Sequence, residues 1–275
     1  MYRRILKFTL SQQTALTYTD ALSMSKIALI TGGSRGLGRA AVLALAKRGI
    51  NIIFTYNTGS DSAKQVIGEV HTLGSGVKAA ALQLDVSQPA TLDAFIVELK
   101  GALAQWHATK FDYLVNNAGI GSQSTAANTS PELLDNLYAI HLKSPFFLVQ
   151  KTLDLINDNG RIVNVSTGLT RFVGPGMIAY ASIKGAVEVY TRYLAKELAP
   201  RGIMVNVIAP GATSTDFNGG AVRDNQVYNK AVSGMIALGR PGQPDEIGDM
   251  VAVLVSEESR WITGQRIEVS GGQLL

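Results

Sequence analysis

The chain has 275 residues, a net charge of +4 and no cysteine, with a sequence pI near 9.2. Its length suits one large α/β domain or two small ones, and 17% charged residues are too few for a disordered tail protein or a coiled coil. The lack of cysteine excludes a disulfide scaffold, a thiolate nucleophile and cysteine-ligated zinc or iron–sulfur. His71, His107 and His141 stand far apart without an H-E-x-x-H pattern, so no metal site is expected. No run approaches the roughly 18 apolar residues of a membrane span, so no membrane partner is expected.

Residues 1–23 carry Arg3, Arg4 and Lys7 against Asp20, which is half of the net charge. They contain no compact apolar run, so they read as an appended arm, disordered or a non-native upstream start. Their basic, acid-poor composition also suits a transit segment. From Met24 the chain runs straight into a strand at 26–30. A helix follows from Leu37 to Lys47, then a strand at 51–56, a helix at 61–73 and a strand at 77–84. Helical spacing resumes over 88–105 (Leu92, Phe95, Ile96, Leu99, Leu103), followed by a strand at 111–116. Residues 131–157 read as a helix that Pro145 kinks or breaks. Strands at 161–165 and 203–208 flank a long helix at 178–199, and a helix at 244–256 precedes a last strand at 265–269. Residues 211–240 lack a strong pattern and contain Gly219-Gly220, so they are expected to form a mobile substrate lid. No linker or repeat interrupts 24–275.

Alternating strands and helices predict an α/β fold. It is a single-domain, Rossmann-like doubly wound parallel sheet of about seven strands, with helices on both faces and ligands at the strands' carboxyl ends.

Two motifs carry chemistry. Thr31-Gly32-Gly33-Ser34-Arg35-Gly36-Leu37-Gly38 follows the first strand and opens a helix. Glycine allows close backbone approach and positive φ, and the helix N-terminus offers unpaired N–H groups to a phosphate. The second strand ends at Thr55-Tyr56-Asn57 with no acid for a ribose hydroxyl. Arg35 offers a planar fork to a 2′-phosphate, so NADP(H) is expected over NAD(H). The second motif is Tyr180-Ala-Ser-Ile-Lys184, which places a phenol and an ammonium on one helix face. A neighbouring lysine lowers a phenol's pKa and fits it for proton exchange. The pair alone also suits an ordinary amphipathic surface helix; the motifs taken together decide between the two.

Those motifs resemble the short-chain dehydrogenase/reductase family across 24–275. The matching pieces stand in family order: the glycine loop 31–38, Asp85-Val86, Asn116-Asn117-Ala118-Gly119, Tyr180/Lys184, Pro210-Gly211, the run 239–247 and the tail 262–272. The look is that of 3-oxoacyl-carrier-protein reductases and NADPH-dependent carbonyl reductases. The resemblance implies that Tyr180 is the general acid/base and that Lys184 lowers its pKa and contacts the nicotinamide ribose. It implies that Gly32, Ser34, Arg35, Gly36, Leu37, Gly38, Tyr56 and Asn57 hold the phosphate and ribose side. Asp85 and Val86 would meet the adenine, Asn117, Ala118 and Gly119 would line the cofactor, and Pro210, Gly211, Thr213 and Thr215 would flank the nicotinamide. Two positions depart from the family pattern. The catalytic serine position, thirteen residues before the tyrosine, is Thr167, which keeps a hydroxyl; Ser166 is the reserve. The relay asparagine position is His141, a substitute able to titrate near neutrality or a packed helix residue.

The expected function is NADPH-dependent reduction of a carbonyl (3-oxoacyl thioester, ketone or similar) to an alcohol. Two readings stand beside it: an NAD-dependent alcohol, sugar or steroid dehydrogenase, and a catalytically weakened cofactor sensor on the same fold. A cytoplasmic homo-oligomer, tetramer or dimer, is implied by the resemblance. No nucleic-acid partner is expected, because the core shows no basic cluster with aromatics.

Overall fold

The computed structural model describes residues 25–74 and 76–275; the arm 1–23 lies outside them. The strands are β1 (Ile27–Ile30), β2 (Asn51–Tyr56), β3 (Ala79–Gln83), β4 (Phe111–Asn116), β5 (Ile156–Val165), β6 (Met204–Pro210) and β7 (Arg266–Val269). Between them run α1 (Gly36–Lys47), α2 (Ser60–Thr72), α3 (Leu92–Gln105), α4 (Pro131–Tyr138), α5 (Ser144–Thr152) and α6 (Ile178–Leu198). The helices α7 (Ala221–Asp224), α8 (Gln226–Ser233) and α9 (Pro244–Leu254) separate β6 from β7. All seven strands are parallel, in the order β3-β2-β1-β4-β5-β6-β7. The chain reverses its direction of winding between β1 and β4, which opens a crevice beyond the strands' carboxyl ends.

A sheet covered on both faces needs strands that are apolar throughout, and β1 shows why. Ala28 and Ile30 enter one core with Ala41, Leu45, Val66 and Val251. Ile27 and Leu29 enter the other with Leu92, Leu99, Leu148 and Leu194. Each fully buried Val, Leu or Ile of these sets contributes about 1.5–3 kcal/mol. On the first face α1 and α9 approach through Gly248: a Cβ there would stand 2.6 Å from the Ala40 carbonyl carbon.

Three segments differ from the sequence expectation. The helix expected over 131–157 is interrupted before Pro145, by a wider π turn at Ala139–Lys143. Pro145 itself sits in the first turn of α5, where its missing N–H costs nothing. β5 begins at Ile156 rather than 161, because Ile156 pairs with Phe111 and Arg161 with Tyr113. The residues between form a bulge, with Asn159 at φ 61°. Finally, 211–240 is not patternless: it contains a 3₁₀ turn at Phe217–Gly220 and the helices α7 and α8. Asn218, Gly219 and Gly220 are consecutive left-handed residues, and the Asn225 side chain caps α8 through the Tyr228 N–H.

Candidate active site

The glycine loop is locked from two sides. The Thr31 hydroxyl accepts from the Asn117 and Ala118 N–H groups, both at 3.0 Å, and the Asn117 amide donates to the carbonyls of Thr31 (2.9 Å) and Gly32 (3.2 Å). Thr55 Oγ1 accepts from the Gly32 N–H at 3.1 Å. Asn117 therefore fastens the loop. Gly32 (φ 68°) and Gly36 (φ 55°) need the left-handed region, and a Cβ on Gly38 would lie 2.1 Å from the Gly32 carbonyl oxygen. No side chain caps α1 and its first turn holds no acid. Free N–H groups at an acid-free helix start, reached across a close backbone, form a cradle for a phosphate.

Around this cradle lie the other expected contacts. Tyr56 and Asn57 end β2 with no carboxylate. Val86 packs under the sheet, while Asp85 Oδ1 is engaged by the Ser87 N–H and hydroxyl at 2.9 and 2.7 Å. Arg35 is exposed and pairs with Asp216 at 3.0 Å. At the end of β6, the Gly211 N–H donates to the Val269 carbonyl, Thr213 Oγ1 to the Gly211 carbonyl, and Thr215 lies beside Gly36. Ser34 and Leu37 are half-buried in the loop, and Pro210 closes β6.

The second cluster sits where β5 ends and α6 begins. Tyr180 and Lys184 are buried on one face of α6, and Thr167 is buried just past β5. Burial pushes the Tyr180 phenol well above its ordinary value, and hydrogen bonding from Thr167 opposes this by favouring the phenolate. Burial also pushes Lys184 down to about 7. Its Nζ donates to the Val165 carbonyl at 2.7 Å and lies 5.8 Å from the Tyr180 ring centroid. Desolvation thus dominates the phenol, and the influence that opposes it comes from Thr167. Thr167 faces Tyr180 and Ser166 does not: the Ser166 hydroxyl donates to Glu188 at 2.7 Å, as strand alternation requires.

His141 falls in the π turn, buried, with its ring edge-on to Tyr180 at 5.4 Å and close beneath Gly119. Its Nε2 donates to the Ile120 carbonyl at 2.9 Å. Nδ1 is buried without a partner among the described residues. Burial and the nearby Lys184 push its pKa down to about 2. Of the two readings open for this position, burial favours the packed, neutral ring, with one donor and one acceptor nitrogen.

Sequence reasoning missed Phe217, whose ring lies 6.2 Å from that of Tyr180, and Asn218, which packs on Gly121. It also missed Glu188, for which the one available signal was its place a helical turn beyond Lys184. Among the described residues no group of His, Asp or Glu side chains is arranged to hold a metal ion, and no helix is long and apolar enough to cross a membrane.

Known proteins are similar to this chain in sequence and fold. A sequence-family model described as Enoyl-(Acyl carrier protein) reductase matches residues 32–273. The tetrahydroxynaphthalene reductase PfmaG of Pestalotiopsis fici is 34% identical over 258 residues, 90% of this chain and 91% of its own. The 3-oxoacyl-[acyl-carrier-protein] reductase FabG of Staphylococcus aureus is 34% identical over 256 residues, 92% of this chain and all of its own. The crystal structure of the angucycline C-6 ketoreductase LanV with bound NADP superposes with a TM-score of 0.85 at 37% identity, covering 90% of this chain and 95% of that one. With the parallel sheet, the glycine cradle and the buried Tyr180–Lys184 pair in place, the chain belongs to the short-chain dehydrogenase/reductase family of oxidoreductases.

Proposed function

We propose that the protein is an NADPH-dependent ketoreductase that reduces a small-molecule carbonyl to an alcohol in the cytoplasm. The observation that carries this reading is the buried grouping of Tyr180, Thr167 and Lys184 at the carboxyl end of the sheet, next to the glycine cradle. The NADP bound to LanV supports the choice of cofactor, as does the acid-free end of β2.

The cradle residues Gly32, Ser34, Gly36, Leu37 and Gly38 would hold the pyrophosphate. Arg35 would exchange Asp216 for a 2′-phosphate beside Tyr56 and Asn57, because a phosphate is the stronger partner for its fork. Asp85 and Val86 would border the adenine, and Asn117 to Gly119 the middle of the cleft. Pro210, Gly211, Thr213 and Thr215 would border the nicotinamide. When bound, the cofactor supplies the hydride. The Tyr180 hydroxyl donates its proton to the substrate oxygen as charge builds there, and the Thr167 hydroxyl donates a hydrogen bond to that oxygen. Lys184, near 7, exchanges a proton readily at neutral pH. His141 fixes the 119–120 backbone as a neutral donor. The segment 211–240 closes the substrate side as a lid, with Phe217 as its aromatic floor over Tyr180.

The test is NADPH oxidation by the full chain against acyl thioesters, diketones, quinones and aldehydes. Tyr180→Phe should lower kcat by about 10²–10⁴-fold. Arg35→Ala should raise KM for NADPH and leave NADH nearly unchanged. A Tyr180→Phe rate equal to wild type defeats the mechanism, and a wild-type preference for NADH defeats the cofactor assignment.

A further inference from the structure

A ladder of alternating charge surrounds the backbone of Thr167, and none of the roles above uses it. Glu188 Oε1 accepts from the Ser166 hydroxyl (2.7 Å), the Thr170 hydroxyl (2.6 Å) and Arg266 Nε (2.9 Å). Arg266 comes from the edge strand β7. Its Nη2 donates to the Thr167 carbonyl (3.2 Å) and to Thr170 Oγ1 (3.1 Å), and its Nη1 to Glu268 (3.0 Å). Glu268 is gripped in turn by a two-point Arg171 fork at 2.6 Å. The Glu188 and Arg266 side chains are only 12% and 22% exposed, so they are shielded from the screening and side-chain freedom that make surface pairs weak.

The ladder holds the 166–170 turn at both ends and in the middle. One carboxylate oxygen ties the hydroxyls of Ser166 and Thr170, and one guanidinium holds the carbonyl of Thr167 between them. Threonine is stiff at χ1; with its backbone fixed, its hydroxyl is fixed. The ladder also reaches the opposite wall of the cleft. Arg171 donates to the carbonyl of Gln273, whose side-chain oxygen accepts from the Ala212 N–H at 2.9 Å in the turn after β6.

We propose that Glu188 and Arg266 are positioning residues, which set the Thr167 hydroxyl against Tyr180 and the substrate oxygen. The proposal rests on the reading of Tyr180 and Thr167 given above. A misplacement of about 1 Å costs on the order of 10²-fold in rate, so a role of this kind shows in kcat.

The experiment compares wild type, Tyr180→Phe, Glu188→Ala, Glu188→Gln, Arg266→Ala, Thr167→Ala and the Thr167→Ala/Glu188→Ala double variant, all in the full chain. Glu188→Ala and Arg266→Ala are expected to lower kcat by about 10–100-fold, with KM for NADPH within about twofold of wild type. Glu188→Gln keeps the accepting oxygen and should recover most of the rate. In the Thr167→Ala background, Glu188→Ala should cost less than about twofold more, because both act through the same hydroxyl. Run in the alcohol-oxidising direction, Glu188→Ala should move the pH profile upward as Thr167→Ala does. Should Glu188→Ala fail to fold, Arg266→Ala and its double variant with Thr167→Ala carry the same cycle. A rate that needs Tyr180 yet is indifferent to Glu188 and Arg266 overturns this proposal alone. So do additive losses in the double variant, or a KM that rises and a melting temperature that falls in step with the loss of kcat. A rate indifferent to Tyr180 overturns the mechanism, and this proposal with it.

Discussion

His141 occupies a position where a titratable ring is held in one protonation state. Its buried Nε2 donates to Ile120 and its charged form has no compensating acid, so the folded pKa is driven down to about 2 from the ordinary 6.5. Below pH about 6.5 the unfolded chain binds a proton that the folded chain refuses, so stability falls as pH falls. Between pH 7 and 5 His141 alone should cost about 2 kcal/mol. Denaturant titrations at the two pH values measure this, and His141→Asn should remove most of the difference. Buried Lys184, lowered to about 7 from 10.5, acts with the same sign at higher pH, adding stability as pH rises from about 7 toward 10.5. His141→Asn should keep its activity within a few-fold, since an asparagine amide can also donate to a carbonyl. A kinetic ionisation near 6.5 that disappears in His141→Asn would contradict the neutral ring.

At the scale of elements, the sequence is legible where packing is periodic and silent where local hydrogen bonding departs from a period. β1, α1, β2 and α6 each bury a continuous or one-sided apolar set, and the sequence spacing places them within a residue or two of their observed ends. The π turn at Ala139–Lys143 leaves no trace in a five-residue window, and the bulge of β5 looks like a polar turn when only Asn157-Asp158-Asn159-Gly160 is read. A short helix such as α8, capped by Asn225, depends on its cap more than on an apolar stripe. The site divides the same way. Tyr180, Lys184 and Thr167 were readable because their spacing is short and fixed. Glu188 and Arg266 were not, because they meet across 78 positions and two elements. Glycine was readable in the loop but not in α9, where Gly248 lets α9 touch the backbone of α1. Gly248→Ala would place a Cβ 2.6 Å from Ala40 and force the pair apart. It should destabilise the protein by about 1–3 kcal/mol, read as a lower urea midpoint at unchanged slope. A midpoint equal to wild type would show that the two helices have room to spare.

At the scale of the whole molecule, the basic pI says little about partners, because half of the net charge sits on the first 23 residues. The uncovered apolar surface is the better guide. On α5 and α6, Phe146 stacks on Tyr190 with ring centroids 5.0 Å apart. Phe146, Val189 and Tyr193 remain 44%, 46% and 69% exposed beside them. Val189 and Tyr193 are four residues apart on α6, so they lie on one helix face, and a flat aromatic face of this kind is more often an interface than a free surface. We propose that a second copy of the chain covers it, in keeping with the homo-oligomer that the family resemblance implies. Aromatic side chains bury about 150–250 Å² each, so replacing two of them removes a large part of such a contact. Light scattering should show wild type at a multiple of 29.2 kDa. Phe146→Arg combined with Tyr193→Arg should move it to the monomer mass without changing the far-UV spectrum, because both side chains project outward. A wild type already monomeric at micromolar concentration, or a double variant that stays assembled, would place the contact elsewhere and leave this face to solvent.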